Sequence, residues 1–344
     1  MAAKRLVIGL LLVVALIAAV VMGRDLLAPQ TAAPVRPVAV ATPVPSPTTT
    51  PQALVPWTGP VEHLFFHPLV RDPAKAFTHD QLGRGFANYF VSVREFQAIL
   101  DGLWRGGWTL VDCHLAAAGT VRVPPGRKPF VLSEDDVNYY DYFAGRGLAS
   151  RLMLDPAGDV RADFNGPSTD DLVPMVDAEA AAHPEFSADG AKGVLGLTGY
   201  QGLFGEHDLT DPAARDRVRA LVDRLRATGW TMASHTYGHI TLARDSSRVV
   251  ARDTARWQAL TDGLLGPVDV LIYPFGSRPS AAGRKVLRDA GFTIQLDIDV
   301  HPAKYVIDGV TVMSRRHIDG LAFDSPRRLA KFFDVSAVRD PLRP

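Results

Sequence analysis

Pro129-Phe130-Val131-Leu132-Ser133-Glu134-Asp135-Asp136 is an apolar run that ends on two adjacent carboxylates. A short apolar run bounded by polar residues reads as a strand. Working outward, the same kind of run recurs at residues 108–112, 193–197, 230–233, 268–273, 292–296 and 310–313. Between the runs lie stretches with helical spacing, at 213–228, 249–265, 280–290 and 326–333. A further helix is expected to open at Ser92-Val93-Arg94-Glu95, a capping-box sequence, and to close at Gly106-Gly107. Strands alternating with helices predict an α/β fold with a mostly parallel sheet, open or closed into a barrel. Residues 137–190 break the alternation. They hold Asn138-Tyr139-Tyr140-Asp141-Tyr142 and a hairpin over 151–164 that turns at Pro156-Ala157-Gly158-Asp159. This insertion reads as a lid or a substrate wall, or as a structural insertion away from ligand.

The N-terminal part has a different composition. Residues 6–23 carry no charge and follow Lys4 and Arg5. The run exceeds the ~7–15 residues of a signal-peptide core and reaches the ~17–25 of a spanning helix. We therefore expect a transmembrane signal-anchor over 1–27, or else a signal that is cleaved. The basic residues before it would keep the N-terminus inside and the rest extracytoplasmic. Residues 28–56 contain eight prolines and one charge, Arg36. Such a stretch cannot bury a core and reads as a Pro-rich linker. The folded domain is expected over 57–344, a length that suits one α/β barrel. Lys plus Arg and Asp plus Glu both number 37. The balance gives no reason to expect a nucleic-acid partner. The single cysteine, Cys113, excludes an intrachain disulfide framework and a Cys-rich metal site. No GxSxG elbow and no phosphate-binding glycine loop are present, which argues against serine esterases and nucleotide binders.

The chemistry sits at strand ends. Ser234-His235-Thr236-Tyr237-Gly238-His239 follows the run at 230–233. On a helical turn, His235 and His239 would share one face. Two neutral imidazoles and a carboxylate make the three-ligand set of a catalytic zinc site. Position 236 is Thr rather than Glu, so the base must come from elsewhere. Asp135-Asp136 can supply both needs, one carboxylate as ligand and its neighbour as base. A third cluster, Tyr273-Pro274-Phe275-Gly276, ends the run at 268–273.

In this order, the three motifs resemble those of the polysaccharide deacetylases of carbohydrate esterase family 4, the NodB-homology domain. The resemblance runs roughly from residue 57 to residue 333. It implies a distorted (β/α) barrel of seven or eight strands. It implies Asp135 as base, and Asp136, His235 and His239 as metal ligands. Tyr273, Pro274 and Phe275 would line the site, with the Phe275 N–H facing the oxyanion. The implied cofactor is a divalent ion, Zn2+ or alternatively Co2+ or Ni2+. The implied activity is hydrolytic removal of N-acetyl groups from an extracellular or cell-wall glycan, such as an N-acetylated polysaccharide or peptidoglycan. The chain departs from the family pattern at Glu134 and Val137 in the first motif. It departs again at Ile272, where the family commonly has an Arg that orients the base. Arg315 or Arg316 could replace that arginine. His317 would be the acid that protonates the leaving amine, with His301 as a weaker candidate, and Asp297 or Asp299 would tune a histidine. His63 and His67 resemble the opening strand of exopolysaccharide deacetylases, with His67 as a substrate contact. The departures leave two further readings open: a barrel that binds glycan without cleaving it, and a hydrolase of another amide or ester.

Overall fold

The computed structural model describes residues 53–344. Seven parallel strands close into a barrel. They are β1 (Glu62–Phe66), β2 (Lys128–Glu134), β3 (Gly193–Leu197), β4 (Trp230–Ser234), β5 (Val270–Ile272), β6 (Ile294–Ile298) and β7 (Val310–His317). Each strand pairs with the next in sequence, and β7 closes the ring by pairing with both β6 and β1. The count falls within the expected seven or eight. The expected strand at 108–112 forms as Trp108–Leu110 but lies outside the ring, against the first half of β2. A short strand, Lys304–Ile307, likewise pairs antiparallel with the first half of β7.

Alternation along each strand divides the core in two. Val131, Val194, Ala233, Ile272, Leu296 and Met313 pack together inside the barrel. Leu64, Phe66, Leu132, Leu195, Met232 and Leu271 face outward and pack in the helical layer. Each large side chain buried in this way stabilises the fold by about 1.5–3 kcal/mol. The helix Val93–Arg105 opens on the expected capping box, with Ser92 and Glu95 exchanging both bonds. The final expected helix is replaced by a 3-10 turn, Pro326–Arg328, and a short helix, Val335–Val338. Downstream of these, Arg343 is buried with its fork on the carboxylate of Glu95.

The folded part begins before residue 57. Val55 and Pro56 pair with Val123 and Arg122, and Arg122 binds the Leu54 carbonyl. The last residues of the expected linker therefore belong to the domain. The expected anchor over 1–27 and most of that linker lie outside the described residues. Among the described residues no helix is long and apolar enough to cross a membrane. The expected hairpin is present as Leu152–Leu154 and Val160–Asp163, with Pro167–Ser168 as a third strand. The insertion also walls a cavity of about 740 Å³ whose lining includes Arg71, Lys75, Tyr140, Phe164 and His207.

Candidate metal centre and acid-base site

The end of β2 sets the geometry. Ser133 and Asp135 follow the inward parity of Val131, and Glu134 follows the outward parity of Leu132. The chain then turns sharply, with Asp136 at φ 61°. Left-handed backbone is costly for a residue other than glycine, about 1–3 kcal/mol, and such residues gather at functional sites. Thr236, His239 and Phe275 share this conformation, at φ 63°, 50° and 58°. These four of the positive-φ residues lie just beyond the ends of barrel strands, in the three motifs.

His235 and His239 meet, though not on the expected helical turn. Residues 235–240 form an irregular loop. The Asp253 carboxylate folds it by accepting from the Tyr237 and Gly238 amides at 2.7 and 2.9 Å. Gly199 lets this loop lie close to the β3 end, since a Cβ there would stand 2.3 Å from the Tyr237 ring. The two imidazole Nε2 atoms are 3.2 Å apart. Asp136 Oδ1 lies 3.9 Å from His235 Nε2 and 3.8 Å from His239 Nε2.

These three residues fit a divalent ion. Tetrahedral zinc with bonds of about 2.0–2.1 Å holds its nitrogen ligands about 3.3–3.4 Å apart. The observed 3.2 Å is close to that. His235 Nδ1 is 3.0 Å from the Ile272 carbonyl and must donate to it, which leaves Nε2 with a free lone pair. Burial lowers both histidines to about 4, so both rings are neutral at pH 7 and ready to ligate. The Tyr140 hydroxyl, 2.6 Å from Asp136 Oδ1, fixes the carboxylate from behind. Of the two adjacent acids, then, Asp136 faces the histidines.

Asp135 faces Arg315 instead. The guanidinium grips it with two bonds, Nη1 to Oδ1 at 2.6 Å and Nη2 to Oδ2 at 3.0 Å. Burial pushes the Asp135 carboxyl up, but Arg315, with His235 and His67 adding to it, holds it down at about 2. Asp135 is therefore an ionised carboxylate throughout the neutral range. Arg316 points the other way, over Phe332. Ile272, in the position where the family pattern commonly has an arginine, packs inside the barrel.

Several expected site residues lie elsewhere. The Tyr273 ring joins the outer layer and its hydroxyl donates to Gln295, so it does not line the site. Pro274 is buried and shapes the turn that brings the Phe275 ring 4.4 Å from His239. The Phe275 N–H has no acceptor among the described residues. Asp297 pairs with Arg278 at 2.7 Å rather than with a histidine. His301 is exposed and its backbone N–H donates to Asp299. His317 stacks on Phe65 and lies 3.0 Å from Asp319. Burial opposes charge on His317, yet Asp319 raises it above the ordinary histidine value. His67 meets the Phe65 ring edge-on, with ring centroids 6.0 Å apart. Glu134 is fully buried, and neither of its carboxylate oxygens has a hydrogen-bond partner among the described residues. Burial, then Asp171 and Asp135, push its carboxyl well above the ordinary value. Cys113 is buried at the barrel foot, its thiol pushed up by burial, consistent with an inert role.

Residues 204–295 match the polysaccharide deacetylase family. The matched stretch holds the histidine loop and the Tyr273-Pro274-Phe275-Gly276 turn, while the acidic pair lies before it. No curated protein matches the sequence. Among solved structures, the fold is similar to Streptococcus pyogenes deacetylase PplD in complex with acetate, with TM-score 0.50 and 13% identity over 81% of this chain and 100% of that one. It also aligns with IcaB from Ammonifex degensii, with TM-score 0.48 and 17% identity over 83% and 99% of the two chains. A de-N-acetylase from Aggregatibacter actinomycetemcomitans aligns with TM-score 0.47 and 13% identity over 76% and 96%. The PplD likeness supports the barrel fold. The motifs pointed to Asp135, Asp136, His235 and His239, which the fold brings close together. They gave no sign of Tyr140 or Asp253, which hold Asp136 and the histidine loop from behind. Tyr140 lies in a Tyr-rich run that stood out only as part of the insertion.

Proposed function

We propose that this chain is a metal-dependent deacetylase that removes N-acetyl groups from an extracytoplasmic glycan. One observation carries the reading: Asp136, His235 and His239 converge on a point beside a second carboxylate that an arginine keeps ionised. When bound, a divalent ion, Zn2+ in this reading, supplies Lewis acidity at the centre of that set. Asp136, His235 and His239 hold it. Asp135 accepts the proton of the attacking water. The Phe275 N–H donates to the acetyl oxygen as negative charge grows there, the role of an oxyanion hole. His317, primed by Asp319, gives a proton to the leaving amine, and His67 contacts the sugar at the rim. Residues 1–27 anchor the enzyme to the membrane and the Pro-rich stretch ahead of the domain spaces it from the surface, which keeps the site on the glycan side.

The test is acetate release by the purified full chain. N-acetylglucosamine oligomers and peptidoglycan are supplied with Zn2+ or Co2+. We expect bound metal and released acetate. Removing a general base costs about 10²–10⁴ in rate, so Asp135→Asn should keep the metal and lose that much turnover. Wild-type turnover in that variant would remove Asp135 from its role. Neither metal nor acetate in the wild-type chain would favour a barrel that only binds glycan. Metal without acetate from glycans, but with turnover of other acyl amides or esters, would point to a different substrate class.

A further inference from the structure

Behind Asp135 a chain of buried side chains crosses three strands. Arg315 Nη1, already 2.6 Å from Asp135 Oδ1, also lies 3.0 Å from Ser133 Oγ. Ser133 Oγ lies 3.0 Å from His63 Nε2. His63 is 4% exposed and Arg315 is 0% exposed. Counting donors fixes the direction of the chain. An arginine can only donate, so Ser133 Oγ accepts from it. The Ser133 hydrogen is then free for one acceptor, His63 Nε2. The sequence runs from Asp135 back through Arg315 and Ser133 to a neutral His63. Burial, with Arg315 adding to it, disfavours charge on His63 and agrees with that assignment.

A two-bond fork fixes Arg315 relative to Asp135, but it does not fix the pair relative to the barrel. Arg315 Nε has no partner among the described residues, and the face of the guanidinium rests on Phe65 at 4.3 Å. Ser133 is the one further side chain bonded to the fork among the described residues. We infer that His63 and Ser133 are positioning residues, holding Arg315 so that its fork aims Asp135 at the metal centre. The kinetic part of this inference rests on the deacetylase reading above.

Three variants of the full chain test it. His63→Leu keeps volume but offers no acceptor. Ser133→Ala removes the link. His63→Gln restores an acceptor oxygen near the Nε2 position. Misplacing a catalytic group by about 1 Å can cost about 100-fold, so kcat should fall about 10- to 100-fold in the first two variants. KM and bound metal should stay as in the wild type. His63→Gln should recover most of the turnover. The double variant His63→Leu/Ser133→Ala should be no slower than Ser133→Ala alone, because linked residues act as a unit. A packing role predicts the opposite pattern, with His63→Leu tolerated. Wild-type kcat in His63→Leu, or additive losses in the double variant, would overturn the proposal.

A second readout needs no turnover. In 15N-arginine-labelled protein, a held Arg315 gives resolved, slowly exchanging Nη–H signals. These should persist in His63→Gln and average out in His63→Leu. Unchanged signals in His63→Leu would sink the positioning role even if acetate release is normal. If the wild-type chain releases no acetate, the deacetylase reading falls, and these signals still decide the role of His63.

Discussion

Tyr140 shows how much a single hydroxyl can decide. It donates to Asp136 Oδ1 at 2.6 Å, and that oxygen stands 3.8–3.9 Å from both histidine nitrogens. Burial, with Asp136 adding to it, pushes the phenol far above its ordinary value, so it stays a donor. Its ring is stacked between Tyr200 at 5.0 Å and Tyr142 at 5.4 Å, so phenylalanine would keep the packing. Losing a bond that orients a ligating carboxylate typically costs 10–100-fold in metal affinity. Tyr140→Phe should therefore weaken metal binding by about that factor, with its melting temperature in chelator unchanged. Competition against a chromophoric chelator measures it, and unweakened binding would leave Tyr140 as packing alone. Asp135 has its own pH window. Its folded value is depressed to about 2, so its pairing with Arg315 contributes stability above the ordinary carboxylate range and loses it as pH falls through about 2.

The helix Cys113–Ala118 is tied to the barrel foot by its second residue. His114 lies 2.9 Å from Asp269, just before β5, and 3.7 Å from Asp112, the cap of its own helix. Asp112 and Asp269, against the opposing effect of burial, raise His114 to about 9. The folded value is raised, so this contribution is complete below about 6.5 and disappears as pH rises through about 9. The ring is 42% exposed, and solvent screening keeps the contribution small. His114→Asn should lower the melting temperature at pH 6 and lose that deficit by pH 10. An equal deficit at both values would show that packing, not charge, is at work. The elements themselves were largely legible because local pattern governs them. The capping box at Ser92 and the strand at 193–197 formed as read. The histidine loop was read as helical because spacing of four is all that a local pattern offers. Its true shape depends on Asp253, 15–16 residues onward. The choice between Arg315 and Arg316 was in principle readable. β7 continues to His317 rather than stopping at 313, and its two-residue period puts Arg315 on the side of Met313. Ser133 heads the acidic motif and His63 lies on the opening strand, but no local pattern links them to Arg315; only the closing of β1, β2 and β7 into a ring brings them to it.

At the scale of the whole barrel, the candidate metal site bridges strands that do not touch. Asp136 follows β2 and the histidines follow β4, with β3 between them. An ion bound there links the folded state and not the unfolded one. At 100 times its dissociation constant it should add about 2.7 kcal/mol, or about 4 °C for a folded unit of this size. A thermal shift with and without Zn2+ checks this, and His235→Ala should abolish the shift. Equal shifts in both proteins would mean that Zn2+ acts elsewhere. The far end of the chain is held by charge as well, because Arg343 is 1% exposed at its side chain beside a fully buried Glu95. Removing one partner of such a pair costs about 3–5 kcal/mol. Arg343→Met should lower the unfolding free energy by about that amount in urea titration. A loss under 1 kcal/mol would show that water replaces the arginine. The Asp135–Arg315 pair also has a consequence in time. Its partners are 180 residues apart, and ribosomes add about 5–20 residues per second. The carboxylate is therefore made about 10–40 s before its counter-ion. Until β7 has been synthesised and has docked, the growing chain holds an acid with nothing to aim it. On the deacetylase reading, no turnover is possible until the barrel has closed.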